Sequence, residues 1–540
     1  MRSIGSRGST DSTGSRGSKG LTASRGSTEN LLNLSNLLNL LNLLNLLNLL
    51  NLLNLLNLYK YLRLVCLSVA LCATPAHAQP GQVPAGVDLN RLARIDEVVD
   101  AAIREQKLPG AVVLVWHRGA FLYQKAFGQR AVQPARESMT LDTVFDLASL
   151  TKVVATTPSV MLLVEEGRIR LSDPVASYIP EFARQGKENI TIRHVLTHVS
   201  GLRADLDLET EWVGHDRALA MAADEQPLAK PGEQFVYSDI NFLLLGEVVA
   251  RVSGQRLDEF ARTRIFAPLG MHETSFNPPD ALVARIAPTE ACTPYGWPCS
   301  VGVGYPGRVR SGTPGVPVVH TPGVPDPTVP ASPTLTPEWL RGTVHDPTAR
   351  RMGGVAGHAG LFSTASDLAI FCEMILAGGS RRGVQILSPL TVELMTSVAT
   401  PAGIADRRGL GWDIDSRYAS NRGELFPAGS FGHTGFTGTS LWLDPRSATF
   451  VIFLSNRVHP DGRGDVTPLR ARVATLAAAS LTAPNLNPEP GTGNPEPGTK
   501  SVPRGSRFQG PGSRFRFRNL ASTCCERRAS RVCGAAVWGW

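Results

Sequence analysis

Hydrophobic residues near the start of the ordered part of the chain change from helical to strand spacing. Apolar residues from Leu92 to Ile103 recur on one face and predict an amphipathic helix that stops before Pro109. The run AVVLVWHRGAFLYQKAFG then predicts two antiparallel strands around an Arg-Gly-Ala turn. Near the other end, FGHTGFTGTSLWLDPRSATFVIFLSN predicts two further strands, and VTPLRARVATLAAASL predicts a last helix.

The middle of the chain has mainly helical patterns. One apolar helix is predicted from Ser149 to Glu166, and residues 173–275 read as several helices, each closed by Gly or Pro. The order of elements predicts an α+β fold, with an antiparallel β-sheet built from both chain ends, flanking helices and an inserted all-helical subdomain. This predicted domain spans residues 83–483.

The two ends of the chain are repetitive. Residues 1–58 contain SRGS three times and then a Leu-Leu-Asn tract, and a step of about 300° per three residues spreads the asparagines around a helix. This low-complexity segment is therefore predicted to have neither a helical nor a strand period, and to be too polar for a membrane span. Residues 484–540 repeat NPEPGT and end in a basic, Gly/Pro-rich run that predicts disorder.

Residues 59–78 have the pattern of a secretory signal. Lys60 and Arg63 precede an apolar stretch, and small residues lead up to Ala78, after which cleavage is expected. The leucine before Cys72 argues against a lipoprotein signal. Membrane attachment is expected only if the signal stays uncleaved.

A proline-rich insert interrupts the predicted domain at residues 291–337. It has eleven prolines in 47 residues and repeats TPGVP, so it is predicted to be a disordered surface loop. Cys292 and Cys299 could close a small local disulfide there in an oxidising compartment.

The formal net charge of +8 is unevenly distributed. Residues 1–63 have a net charge of +5 and residues 484–540 have +6, which leaves −3 for the part predicted to fold. The charge therefore gives no support for a nucleic-acid partner.

Ser149 and Lys152 are the first candidates for chemistry. Residues i and i+3 lie on one helix face, so the lysine amine can reach the serine hydroxyl. A serine needs a neighbouring base to become a nucleophile, and apolar neighbours could keep the lysine neutral enough to act as that base. The pattern is short, and by itself it is more typical of a surface helix start with Ser149 near the N-cap.

Two further motifs lie downstream. Tyr237 precedes Ser238 and Asp239 between a Pro-Gly turn and an apolar helix, where a phenol could shuttle a proton to the serine. His433-Thr434-Gly435 begins a predicted strand, whose edge could pair with a substrate and leave an amide N–H free for an oxyanion hole.

Together these motifs resemble the active-site triplet of the penicillin-recognising serine hydrolases, which include class C β-lactamases, D-Ala-D-Ala carboxypeptidases, D-aminopeptidases and related esterases. The strings LTHVSGL and GGVAGHAGLFSTASDLAIF are also similar to that family. The resemblance implies Ser149 as nucleophile, Lys152 as its proton acceptor and Tyr237 as the second acid/base. It also implies an oxyanion hole formed by the backbone N–H groups of Ser149 and Phe436.

The remaining site predictions concern substrate binding. Asp239, His433, Thr434 and Gly435 are expected to contact substrate, and His358 could line the cleft or serve as a structural turn residue. His433 replaces the lysine usual in β-lactamases and is expected to be largely neutral, while Asp239 replaces an asparagine. Both departures disfavour substrates with a carboxylate.

No metal or cofactor is expected. His194 and His198 have i, i+4 spacing without a third ligand, and Trp412 is interpreted as core packing. The sequence thus predicts a periplasmic or secreted, monomeric serine hydrolase acting on peptidoglycan-type D-amino acid peptides or small esters. A β-lactamase and a non-catalytic penicillin-binding sensor remain the alternatives.

Overall fold

The computed structural model describes residues 38–55, 85–292 and 338–482. The predicted signal at 59–78, the 484–540 tail, Cys299 and nearly all of the 291–337 insert lie outside the described residues. The domain boundaries drawn through those segments stay predictions.

The helices and strands are as follows. The α-helices are α1 (Leu38–Leu55), α2 (Leu89–Arg104), α3 (Thr157–Glu165), α4 (Ile192–Leu196), α5 (His215–Asp224), α6 (Asp239–Ser253), α7 (Leu257–Ala261), α8 (Ala267–Leu269), α9 (Asp280–Val283), α10 (Pro347–Arg351), α11 (Ala365–Leu376), α12 (Pro389–Thr396) and α13 (Thr467–Ala479). The strands are β1 (Gly110–His117), β2 (Ala120–Ala131), β3 (Glu137–Ser138), β4 (Phe145–Asp146), β5 (Ser275–Phe276), β6 (Ala291–Cys292), β7 (Glu338–Trp339), β8 (Leu361–Ser363), β9 (Ser380–Arg381), β10 (Val384–Gln385), β11 (Arg407–Arg408), β12 (Asp413–Asp415), β13 (Phe431–Thr434), β14 (Ser440–Asp444) and β15 (Thr449–Ser455).

An eight-stranded antiparallel sheet organises the domain. Its order is β11-β12-β13-β14-β15-β1-β2-β3, so strands from the two ends of the domain meet where β15 pairs with β1. Both central residues of the β1–β2 turn, Arg118 and Gly119, have positive φ, which suits the tight turn of a hairpin. The predicted α+β fold is confirmed, although the carboxyl-terminal segment forms three strands and not two.

Side chains of β1 alternate between two hydrophobic cores. Val113 and Val115 join α2 and α13 on one face of the sheet, whereas Val112 and Leu114 join the larger core that contains the nucleophile segment and α11. Full burial of such a side chain contributes about 1.5–3 kcal/mol, so the alternation anchors the sheet between two helical layers. Trp412 is fully buried in the larger core, as predicted.

The helical block lies between β3 and β8 in the sequence. Helix α6 is its central element, because all residues from Ile240 to Val249 are buried. Packing on every side explains why this helix is apolar around its whole circumference. It therefore holds the loop that precedes it, which contains Tyr237, in one position.

The segment predicted as one helix from Ser149 to Glu166 has three successive geometries. A 3₁₀ turn covers Ala148–Leu150, a π-helical turn covers Lys152–Thr156, and α3 follows. Such turns inside helices often mark functional positions.

The Leu-Leu-Asn tract, whose period of three predicts no amphipathic face, forms the helix α1. Leucine is a strong helix former even where the polar residues share no face. Among the described residues, α1 is long and apolar enough to cross a membrane, with a mean hydropathy of 1.4 and no buried part, although a signal sequence near the N-terminus has the same properties.

The predicted insert leaves and re-enters the domain at one place. Strands β6 and β7, on either side of it, pair with each other in antiparallel register. The chain therefore continues on both sides of the insert without a break in the surrounding fold.

Candidate active site

A tight turn presents the candidate nucleophile. Ala148 has a φ of 47°, a left-handed conformation that costs a residue with a Cβ about 1–2 kcal/mol. Its backbone N–H donates to Asp146 Oδ1 at 2.9 Å, and its carbonyl accepts from Thr151 Oγ1 at 2.7 Å. These two bonds hold the turn, and Ser149 is only partly buried at its tip.

The side chain of Lys152 reaches the serine, as the three-residue spacing predicts. Its Nζ donates to Ser149 Oγ at 2.9 Å and to the carbonyl of His358 at 3.2 Å, and it forms an ion pair with Asp239 Oδ1 at 2.6 Å. The Lys152 side chain is 0% exposed. The serine hydroxyl, the His358 carbonyl, the Asp239 carboxylate and the Tyr237 phenol thus surround an ammonium group that has three protons to donate.

The expectation that Lys152 is partly neutral is wrong. Burial lowers the pKa of Lys152, but the Asp239 carboxylate and the Tyr237 phenol raise it more, so the net pKa lies above the usual value for lysine. The apolar neighbours alone predict a lowered pKa for Lys152, whereas Asp239 is a direct counter-ion that raises it.

Tyr237 lies beside the Lys152 ammonium group, and its ring packs against other aromatic rings. Lys152 Nζ is 5.0 Å from the centroid of the Tyr237 ring, and the His198 imidazole stacks on that ring at 4.5 Å. His198 Nδ1 accepts from the Ser238 backbone N–H at 3.1 Å. Burial holds the pKa of His198 well below its usual value, so this histidine is a neutral packing partner for the tyrosine.

His433 lies on β13 opposite Tyr237, with ring centroids 6.1 Å apart. Its Nδ1 lies 2.8 Å from the carbonyl of Thr434, so the proton is assigned to Nδ1 and Nε2 is a bare acceptor. Burial, then the Arg408 guanidinium and Lys152, keep the pKa of His433 well below its usual value. The neutral histidine expected from sequence is thus confirmed.

The turn after β13 is tied to the nucleophile turn. Thr437 Oγ1 donates to the Asp146 carbonyl at 2.8 Å, and Thr439 Oγ1 donates to the Leu147 carbonyl at 3.0 Å. Gly435 allows this approach, because a Cβ there would be 2.5 Å from the Leu147 carbonyl oxygen.

The two predicted oxyanion donors are the backbone N–H groups of Ser149 and Phe436. Within the described residues, neither donates to a protein acceptor. Phe436 is 59% exposed, and its ring lies between the Arg457 guanidinium at 4.5 Å and the His345 imidazole at 5.6 Å. An N–H group without a protein acceptor is a condition for an oxyanion donor, and the role of this pair stays a prediction.

Not all predicted substrate contacts point into open space. His358 is fully buried and its carbonyl, not its imidazole, reaches Lys152, while Asp239 is occupied by the same lysine. Thr434 is the partly exposed last residue of β13, and Gly435, which follows it, is buried.

Three charged residues of the site were not predicted from the sequence. Arg408 is 0% exposed, and its Cζ lies 5.8 Å from the centroid of the Tyr237 ring. Asp205 and Asp346 lie near Asp239. Burial, together with the carboxylates of Asp346 and Asp239, raises the pKa of Asp205 to about 7. Only the Asp346-Pro347 pair, a common helix start, gave a local signal.

The comparison with protein families agrees with this geometry. The model of the Beta-lactamase family matches residues 95–476. The chain belongs to the Beta-lactamase family. It is therefore a serine hydrolase of that family, and the resemblance inferred from its motifs is confirmed.

Relatives within the Beta-lactamase family cover most of the described domain. A protein of Escherichia coli (strain K12) named "Putative D-alanyl-D-alanine carboxypeptidase" is 31% identical over 426 residues, which span 74% of this chain and 90% of that protein.

Two solved structures share the fold. A penicillin-binding protein homologue from Caulobacter crescentus has a TM-score of 0.54 and 24% identity, and it covers 74% of this chain and 99% of its own. A class C β-lactamase has the same TM-score and coverage at 18% identity.

Proposed function

We propose that this protein hydrolyses peptidoglycan-type D-amino acid peptides, in the manner of a D-Ala-D-Ala carboxypeptidase, or small esters, through an acyl-Ser149 intermediate. The observation that carries the proposal is the line of contacts from Ser149 Oγ to Lys152 Nζ at 2.9 Å and on to Asp239 Oδ1 at 2.6 Å. The name of the Escherichia coli relative supports the peptide substrate.

The charge of Lys152 determines how a proton leaves the serine. An ammonium group cannot accept a proton, so Lys152 passes one of its protons to Asp239 as it takes the proton of Ser149. The serine oxygen then attacks the substrate carbonyl, and the N–H groups of Ser149 and Phe436 stabilise the oxyanion.

Tyr237 completes the cycle. Its phenol protonates the leaving group as the tetrahedral intermediate collapses to the acyl-serine. A water molecule then gives a proton to the tyrosine and attacks the acyl carbon. Ser149 leaves with a proton that returns from Asp239 through Lys152, so the protons balance over one turnover.

The absence of a cation at His433 supports a limited affinity for carboxylates. A neutral imidazole offers an acceptor where β-lactamases usually have a lysine, and Asp239 adds negative charge nearby. This charge pattern favours uncharged esters over β-lactams and over D-Ala-D-Ala peptides, since both of the latter carry a free carboxylate, and the name of the Escherichia coli relative is the support for the peptide substrate.

The test is incubation of the full-length protein with a fluorescent penicillin, a D-Ala-D-Ala peptide and p-nitrophenyl acetate. We expect covalent labelling at Ser149, release of D-Ala or p-nitrophenol, and loss of both in Ser149→Ala. Removal of the nucleophile lowers turnover to the uncatalysed background, because no acyl-enzyme can form.

The other outcomes distinguish the alternatives. Labelling without turnover of any substrate would indicate a sensor, and faster release of hydrolysed penicillin than of D-Ala would indicate a β-lactamase. Unchanged labelling in Ser149→Ala would refute the proposed nucleophile.

We infer that the protein is exported through the signal predicted at residues 59–78. The support is the charged, apolar and small-residue order of that segment, and the peptidoglycan chemistry proposed above. The N-terminal sequence of the secreted or periplasmic protein is expected to begin at Gln79. A start upstream of Lys60 would contradict cleavage at this position.

A further inference from the structure

Residues 357–361, which we name the strap, run along the nucleophile segment. They belong to the string GGVAGHAGLFSTASDLAIF, to which the proposed chemistry assigns no role. The strap is close-packed, because a Cβ on Gly357 would lie 1.9 Å from the Phe242 carbonyl oxygen. The contacts with the nucleophile segment are Thr156 Oγ1 to Gly357 O at 2.6 Å, Lys152 Nζ to His358 O at 3.2 Å, Leu361 N to Thr151 Oγ1 at 3.1 Å and Leu147 N to Leu361 O at 2.9 Å.

The imidazole of His358 anchors this strap from behind. Its Nε2 lies 3.0 Å from Asp346 Oδ1, and the side chains are 1% and 21% exposed. The same Asp346 oxygen accepts from the Ala349 backbone N–H at 2.8 Å and so caps α10. Burial lowers the pKa of His358 but the Asp346 carboxylate raises it more, so the net pKa lies above the usual value and the protonated imidazole is favoured more than in a free histidine.

We propose that His358 and Asp346 form a positioning pair for the catalytic lysine, in which the contact between the imidazole and the carboxylate fixes the strap so that the His358 carbonyl accepts a proton of the Lys152 ammonium. This inference rests on the proposed acyl transfer at Ser149. The other groups around Lys152 are Ser149, Asp239 and Tyr237, all of which change protonation during the cycle. The His358 carbonyl cannot titrate, so it keeps the amine in position while protons move.

Most charged groups around the positioning pair are neutralised by a neighbouring group. Asp346 is balanced by His358 and Asp239 by Lys152, whereas Asp205 is held by the hydroxyl of Thr348 at 3.0 Å. Among the residues that the structure describes, this third carboxylate has no ion-pair partner, and its pKa is raised to about 7. The charged groups that face the positioning pair are Lys152, Asp239, Asp205, Asp146 and Arg350.

The test compares His358→Leu with His358→Gln in the full-length protein. Glutamine keeps an N–H that can donate to Asp346, whereas leucine removes the donor at similar volume. We expect His358→Leu to lower kcat for p-nitrophenyl acetate by about 10- to 100-fold with little change in KM, since a misplaced amine affects chemistry more than binding. His358→Gln is expected to recover most of that loss.

The matched control is His117→Leu, which removes another buried imidazole, hydrogen-bonded to Thr449 at 2.8 Å. An equal loss of kcat in this control, or wild-type kcat in His358→Leu, would overturn the proposal. A loss in His358→Leu that appears only in KM would do the same, since it would assign His358 to substrate binding.

A second measurement tests the ion pair without using activity. The folded pKa of His358 is raised, so its stabilisation is complete below the unfolded value of about 6.5 and is lost as pH rises through the folded pKa. The difference in Tm between wild type and His358→Leu should therefore shrink as the pH is raised through that range. A pH-independent difference would refute the pair, and a wild type that is never acylated would refute the proposed function while this measurement still reports on the pair.

Discussion

Replacing Lys152 with methionine is expected to lower kcat/KM by about 10²- to 10⁴-fold, the usual contribution of a positioned acid/base group. It should also lower the free energy of unfolding by about 3 kcal/mol, because Asp239 would be left mostly buried without a counter-ion. This figure is the lower end of the usual range, since Asp239 is 21% exposed. Esterase kinetics and urea unfolding measure the two effects.

The double variant Lys152→Met with Asp239→Asn separates these effects. Removal of the uncompensated carboxylate should restore part of the stability, whereas activity should stay at the level of the single variant. If the double variant is as unstable as Lys152→Met alone, the 2.6 Å ion pair does not govern stability at this site.

Replacing Asp239 with asparagine is expected to shift the pH dependence of kcat/KM to higher pH. Without the carboxylate, burial dominates and the pKa of Lys152 falls. The proton of Ser149 then has no terminal acceptor until Lys152 itself becomes neutral, so kcat/KM should drop at pH 7 and rise with pH as the lysine deprotonates. A wild-type pH profile in this variant would exclude Asp239 from the proton relay.

The same variant should favour anionic substrates. Loss of one negative charge beside Ser149 is expected to lower KM for penicillin, which has a carboxylate, and to leave KM for uncharged p-nitrophenyl acetate nearly unchanged. Equal changes in both values would show a rearranged cleft and not an electrostatic effect.

The stability of Asp239→Asn has its own pH dependence. In the wild type the folded pKa of Lys152 is raised, so its stabilisation is present below the unfolded value of about 10.4 and is lost as pH rises through the folded pKa. In the variant the folded pKa is lowered, so charged lysine destabilises the fold at neutral pH and the penalty disappears as pH rises. The difference in Tm should therefore be largest near pH 7 and narrow towards pH 11. A constant difference would argue against the ion pair.

The sequence was sufficient where contacts are local. The three-residue spacing of Ser149 and Lys152 is a property of one helical turn, and the 2.9 Å contact follows from it. The face of α2, the β1–β2 hairpin and the apolar α6 behind Tyr237 likewise follow from side-chain periodicity and turn residues within short segments. The order of these segments was then enough for the α+β fold.

Hydrophobic period did not indicate the helix in the Leu-Leu-Asn tract. The asparagines are spread around its circumference, yet the intrinsic preference of leucine allows α1 as an exposed helix. The nucleophile segment is a second example, because its π-helical turn cannot be distinguished from α-helix by hydrophobic spacing.

Only the tertiary structure decided the charges of the site. Lys152 was expected to be partly neutral from its apolar neighbours, and it is an ammonium because Asp239 arrives from α6 at 2.6 Å. His358 was a candidate for substrate contact, and its carbonyl instead reaches Lys152 across 206 residues of sequence. Spacing along the chain determines which groups share a turn, whereas the pKa of a buried group depends on charges brought together by folding from distant segments, and no local pattern records them.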